Sequence, residues 1–375
     1  MYRWIGIIGL FFSVATYADE IVGFNAFENQ DYKGAYPHLM EAAKNGNDDA
    51  MYLLGRMYQY GLGIKQDNAQ AVEWYKKSAD KNNILAELSL GYVYDSGEGV
   101  DQSYPMAFEW YMKAAHQGNA IAQRNVGLMY ISGDGVKANA KEACIWFEKS
   151  AQQGYPKAQV NLAYQFVMGE GVKVNVEKAL YWYKLAADQG ESQAQYSLGV
   201  LYTGRYGVAV DQKAAFHWLS EAAKQGHANA QLYVGYEYMN GLGTAEDKQK
   251  AAYWYHAAAL QGNVDAEIEY AQLLFTGTGT DKNYDQSVYW FKKAAEQGDS
   301  FAQAKMAYLY LAGLGVDKDE SKAYGWLKLA ANNHNDQASA AFKKLEGLIS
   351  EDNKQQGEKY YQELSNQLLH RKNGQ

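Results

Sequence analysis

One cysteine stands in 375 residues, so no intramolecular disulfide framework can form. Proline is nearly as scarce, at three residues, which leaves long stretches free to be helical. Cations are outnumbered, 35 Lys and Arg against 43 Asp and Glu, for a net charge of −8. That sign opposes binding to a phosphate backbone, where affinity comes from counterion release, so nucleic acid is not an expected partner. After Val14 no apolar run approaches the ~20 residues needed to cross a bilayer. What is plentiful is glycine, at 36, and aromatic side chains, with 33 Tyr and nine Trp. With 47% apolar residues, this is the composition of a folded, aromatic-rich chain rather than a disordered or collagenous one.

The first 18 residues read as a signal peptide. Arg3 gives a basic start, Trp4 to Val14 an apolar core of secretory length, and Thr16 and Ala18 the small residues of a cut before Asp19. The expected product is exported and soluble, periplasmic or secreted; the rival is a retained membrane anchor.

A period of 36 organises the rest. Trp74, Trp110, Trp146, Trp182, Trp218, Trp254, Trp290 and Trp326 recur without a slip. Gly-x-Gly pairs keep the same register, from Gly61/Gly63 to Gly313/Gly315, except where Arg205 precedes Gly207. A further glycine recurs from Gly46 to Gly298, with Asn82 and His334 in two of its places. Each unit reads as two helices. The first carries Ala50, Leu54, Gly55 and Tyr58 on one face, with glycine where another backbone is expected to come close. The second carries Ala71, Trp74, Tyr75, Ser78 and Ala79. Gly-x-Gly ends the first helix, and an apolar residue such as Ile64, Val100, Val136 or Val172 tucks the loop under the repeat. Asp67, Ser103, Asn139, Asn175, Asp211, Asp247, Asn283 and Asp319 are expected to cap the second helix, worth ~1 kcal/mol each.

One such pair buries too little surface to fold alone, so neighbours must stack into a continuous core in which the indoles interlock. The expected fold is an all-α, α/α superhelical solenoid. Its parts are capping helices over 19–45, eight repeats over 46–333, and capping helices with a tail over 334–375. In the first cap His38 takes the tryptophan place; in the last, Ala338, Phe342, Leu345 and Ile349 stripe one helix and Tyr361, Leu364 and Leu368 another.

The pattern Ala-x-x-x-Leu-Gly-x-x-Tyr, Gly-x-Gly-Val, Asp/Asn, then Ala-x-x-Trp-Tyr-x-x-Ala-Ala-x-x-Gly resembles the Sel1-like repeat, a relative of the tetratricopeptide repeat, over about residues 20–350. The resemblance implies a non-catalytic scaffold that binds other proteins, in envelope assembly, quality control of secreted proteins, or bacteria entering host cells. Length, leader and repeat number resemble the family's secreted virulence factors, which implies a host trafficking or invasion protein as partner. Cysteine-rich members bind penicillin-like compounds through a disulfide-pinned fold; this chain lacks those cysteines. The resemblance implies no cofactor, and a monomer is expected.

By similarity to tetratricopeptide repeats, positions equivalent to 49, 52, 56, 59 and 60 line a concave groove. Through the array these give Tyr52, Arg56, Tyr92, Arg124, Leu128, Tyr164, Tyr196, Val200, Tyr236, Ile268 and Tyr308. Tyrosine and arginine combine large contact area with a polar tip, as at binding hot spots; the competing reading packs the tyrosines against the next repeat. Arg124 stands where other repeats carry Tyr, Leu, Val, Ile or Ala, so its guanidinium is either a carboxylate-reading group or a solvated charge.

Catalytic patterns are thin. Ser78-Ala79-Asp80-Lys81 matches Ser-x-x-Lys, but Ser78 shares its register with small core residues and no Lys-Thr-Gly accompanies it. His217 and Glu221 lie four apart without the second histidine of a zinc motif, so no metal is expected. No Gly-x-Gly continues into a phosphate loop. Cys144 shares a register with Val72 and Phe108, as a buried filler would. Two alternatives remain: a periplasmic protein that binds or hydrolyses peptidoglycan-like or β-lactam compounds, and a structural envelope scaffold.

Overall fold

The computed structural model describes residues 21–333 and 335–373, so the leader and His334 lie outside the described residues. All regular structure among them is helical. Residues 21–28 form α1 and Tyr32–Lys44 α2. Eight helix pairs follow, each a helix A and a helix B: α3 (Asp48–Tyr60) with α4 (Asn68–Ala79), α5 (Ile84–Ser96) with α6 (Tyr104–His116), α7 (Ala120–Ser132) with α8 (Ala140–Gln152), and α9 (Pro156–Met168) with α10 (Val176–Asp188). The next four are α11 (Ser192–Tyr202) with α12 (Gln212–Lys224), α13 (Ala228–Asn240) with α14 (Lys248–Leu260), α15 (Val264–Thr276) with α16 (Tyr284–Glu296), and α17 (Ser300–Ala312) with α18 (Glu320–Asn332). Two compact units divide the chain, one ending at Gln189 and one beginning at Gly190. Within each, hairpins stack as an α/α solenoid.

Local chemistry sets the helix ends. Gly61, Gly97, Gly133, Gly169, Gly241, Gly277 and Gly313 close helix A in the left-handed region. The chain then returns, Asp67 donating its N–H to Tyr58 O at 2.9 Å and Ser103 to Tyr94 O at 2.8 Å. All eight expected caps accept a backbone N–H from the first turn of helix B, with Ser103 the longest at 3.5 Å. Asn82 takes the glycine's left-handed place at φ 63°, as asparagine can.

The second glycine of each loop answers to a neighbour. A Cβ on Gly135 would sit 2.2 Å from the carbonyl oxygen of Tyr104, and one on Gly279 2.0 Å from that of Lys248. The loop thus rests on the first turn of the preceding helix B. Repeat five departs: Arg205–Gly207 form a short 3-10 turn with Tyr206 at φ 55°. Since this region costs a bulky residue about 1 kcal/mol, Tyr206→Gly is expected to raise stability by roughly that amount in urea denaturation.

The core departs from expectation at the tryptophans. Trp146, Trp290 and Trp326 are buried, but Trp74, Trp110, Trp182, Trp218 and Trp254 are only half-buried. Several carry a lysine ammonium over the ring face, 3.8 Å from the centroid for Lys113 on Trp110. The buried column is the next residue along, Tyr75, Tyr111, Phe147, Tyr183, Leu219, Tyr255, Phe291 and Leu327. These side chains also explain the helix A glycines: a Cβ on Gly55 would lie 2.5 Å from the Tyr75 ring and one on Gly91 2.3 Å from Tyr111. An aromatic ring, rather than a second backbone, requires the glycine there.

A ladder of amides, each pairing a buried glutamine of helix A with an exposed one at the end of helix B, ties the helices together. Gln153 donates to Gln123 at 2.7 Å, Gln189 to Gln159 at 3.0 Å, and in the second unit Gln261 to Gln231 at 2.8 Å. Gln123 and Gln231 in turn donate to Ala115 O and Ala223 O of the preceding helix B. These bonds satisfy polar groups that would otherwise be costly at the joints.

The ends are capped. In α19 (Asp336–Glu346) Ala338 and Leu345 are buried, and the Phe342 ring meets Tyr324 at 4.9 Å. Helix α20 (Glu351–Asn373) packs on α18, where Gly325 and Gly357 allow close approach.

Candidate functional site: the helix A face

The residues expected in a groove fall into two classes. Tyr92, Tyr164, Tyr236 and Tyr308 stand 49%, 46%, 53% and 50% exposed on helix A, one in every second repeat. The others are engaged in packing. Tyr52 is half-buried with its ring 5.9 Å from Tyr75, and burial raises the pKa of its hydroxyl. The Arg56 guanidinium lies 5.6 Å from the Phe27 ring of α1. Leu128 and Val200 pack against the core, and Ile268 is buried within it. Tyr196 stacks on His227 at 4.5 Å. Arg124 donates Nε–H to Asn161 Oδ1 at 2.9 Å, which fixes the guanidinium and leaves its Nη donors to point elsewhere.

Each unit has a cavity on this face, built at the same register. In the first, about 240 Å³ opens between Tyr60 of α3, Leu88 and Tyr92 of α5 and Ile121 of α7, with Tyr111 as floor. In the second, about 590 Å³ opens between Phe275 of α15, Phe301 and Tyr308 of α17 and Ala341 of α19, with Phe291 and Leu327 as floor. An exposed tyrosine borders both. The Tyr92 hydroxyl donates to Glu98 Oε1 at 3.2 Å, and that carboxylate raises its pKa.

The groove registers at 49 and 60 include Tyr60, Ile121 and Phe301, which were not singled out by residue, and the register of Lys305 was not among them. The signal was present: Ile121 and Phe301 are apolar at a register where other repeats carry Asp49, Lys157, Gln193 or Asp265, and Lys305 follows Leu53, Ser89 and Asn125.

Groups considered for chemistry are placed structurally. Ser78 is fully buried and donates to Asp48 O at 2.7 Å, and Ser150 does the same to Ala120 O. Cys144 is buried, with its thiol donating to Glu170 O and its pKa raised by burial. Glu221 pairs with Lys224 at 2.6 Å. Among the described residues no cluster of three or more His, Cys, Asp or Glu could hold a metal, and no helix is long and apolar enough to cross a membrane. Glu237 stands apart: at the register of Met57 and Val93 it is buried, neither carboxylate oxygen has a hydrogen-bond partner among the described residues, and burial pushes its pKa up to about 8.

Comparison with known proteins settles the family. The Sel1 repeat matches eight abutting windows, 48–83, 84–119, 120–155, 156–191, 192–227, 228–263, 264–299 and 300–335. The chain belongs to the Sel1 repeat family. Among solved structures, it is 30% identical to a Sel1 repeat protein from Oxalobacter formigenes, covering 83% of this chain and 90% of that one, with a TM-score of 0.64. It is 32% identical to c5321, a protective antigen present in uropathogenic Escherichia coli strains, covering 94% and 84% at a TM-score of 0.53. A putative Sel1-like repeat protein from Acanthamoeba polyphaga mimivirus is 35% identical over 68 residues, a match spanning 12% of that protein. Sel1 repeat proteins generally act as protein-interaction scaffolds.

Proposed function

We propose that the chain is an exported, non-catalytic scaffold that holds an extended or helical segment of a partner protein against its helix A face. The observation that carries this is the repeated cavity: in each unit the same register opens a hole beside an exposed tyrosine, mixed in polarity in the first and mainly apolar in the second. Bulky side chains of a partner would enter the holes, while tyrosine hydroxyls and the Arg124 donors meet its polar groups. The leader over 1–18 supports export, and the E. coli relative's description as a protective antigen supports exposure to a host. Length, leader and repeat number are also like those of LpnE, a secreted bacterial virulence factor, which supports a role in entering host cells or in vacuole trafficking, with a host protein as partner. The β-lactam alternative is not favoured, because the Ser78 hydroxyl is buried and committed to Asp48 O.

The test places a photo-crosslinking phenylalanine analogue at Tyr164 and Tyr308 in the full chain. Both positions are expected to yield the same crosslinked partner, and Arg124→Glu with Tyr92→Ala and Tyr164→Ala is expected to lose it with helicity unchanged. Capture undiminished in that triple variant would remove the helix A face from consideration. Fractionation of the cells that produce it checks export, which fails if the protein retains residues 1–18 in the cytosol.

A further inference from the structure

Resting on the helix A face as a protein-binding surface, we propose that the second unit's cavity takes a bulky apolar side chain of an acidic segment, with a flanking carboxylate meeting Lys305. The cavity, at about 590 Å³, is more than twice the size of its counterpart in the first unit and within the range that holds most of a small ligand. Its walls are Phe275, Phe301, Tyr308 and Leu311, so a leucine or aromatic side chain would be covered on several sides. Among the described residues, Lys305 is the one charged side chain lining it.

The lysine is held at the rim. Its Nζ lies 5.0 Å from the Phe301 ring centroid, a cation resting on an aromatic face. Glu269, at the same register one repeat earlier, has its pKa raised by burial and by Asp265. A carboxylate arriving beside Phe301 would therefore meet a cation next to apolar surface, where screening is weaker than in open solvent.

A fatty acid also pairs one anion with one apolar chain. The rim favours a peptide over it. Gln272 and Gln337 bring carboxamides to the cavity, each able to donate and to accept as a peptide backbone requires. A fatty acid has nothing for them beyond its single carboxylate.

The test uses short fluorescent peptides with a central Leu-Phe pair flanked by Glu, Gln or Lys, titrated against the full chain by anisotropy, with dodecanoate as the lipid-like probe. The Glu-flanked peptide is expected to bind roughly tenfold tighter than the Lys-flanked one. Lys305→Glu, a rim change that leaves the core intact, is expected to invert that order, and Ala304→Trp, which fills the hole, to abolish binding by all three peptides. Binding indifferent to the flanks or to Lys305→Glu would overturn the proposal, as would saturable dodecanoate binding with no peptide binding. If no peptide binds while the crosslinker at Tyr308 still captures a protein, the acidic-segment inference fails and the helix A reading stands; if the crosslinks vanish as well, both fail.

Discussion

Glu237→Met is expected to stabilise the protein by on the order of 3 kcal/mol at neutral pH and to flatten its pH dependence above pH 5. Glu237 is 2% exposed, neither oxygen has a hydrogen-bond partner among the described residues, and burial pushes its pKa up to about 8. In the unfolded chain the same carboxyl titrates near its ordinary 4.5. Between those values the folded state keeps a proton that the unfolded state has released, so stability falls as pH rises. The contribution is fully present below about pH 4.5, declines through the window and is gone above about pH 8, a total on the order of 4 kcal/mol. Met57 at the same register shows that methionine fits this kind of site. Urea midpoints at pH 5, 7 and 9 check it: the gap between variant and parent must widen with pH. Parallel curves would show that the carboxylate has found a partner or water.

The repeat, its caps and its loop glycines were legible in the sequence because each is set by a handful of neighbouring residues. Asp67 bonds within its own turn, to Gln70 N–H at 3.0 Å, so spacing alone identifies its role. The stripe Ala71, Tyr75, Ser78 and Ala79 is buried as expected, but the tryptophans were wrongly placed at its centre. Spacing identifies tryptophan as important, yet on a helix Trp74 and Tyr75 differ by about 100°, and only the placement of the next hairpin decides which one points inward. The lysines over the indoles supply a reason for the tryptophans that does not require full burial. The amide ladder was missed because its partners lie 30 residues apart, as in Gln225 to Gln195 at 2.8 Å, and glutamine at a helical register reads as surface. The helix A face was half legible. The exposed register at Tyr92, Tyr164, Tyr236 and Tyr308 was found, but the register at Tyr52 and Tyr196 packs between hairpins, since its side chains lean onto the neighbouring helices rather than outward.

Two glycines of the second unit separate what conformation demands from what stacking demands. Gly262 and Gly279 both hold left-handed backbone, at φ 81° and 69°. A Cβ on Gly262 would meet nothing within 4 Å, whereas one on Gly279 would lie 2.0 Å from Lys248 O and 2.4 Å from Lys248 C, which are backbone and cannot swing aside. Gly262→Ala is therefore expected to cost about 1 kcal/mol, the strain alone. Gly279→Ala adds a steric conflict that must push the loop off the first turn of α14, for a total on the order of 3 kcal/mol or more. Because each hairpin is stabilised by its neighbours, the loss should be local in origin: hydrogen exchange should quicken first in α14, α15 and α16 while α3 to α10 keep their protection. Equal costs at the two sites would mean that the second glycine of each loop serves backbone geometry alone, and that the loops contribute nothing to stacking. The difference between the two costs measures the contribution of one loop to holding one hairpin on the next.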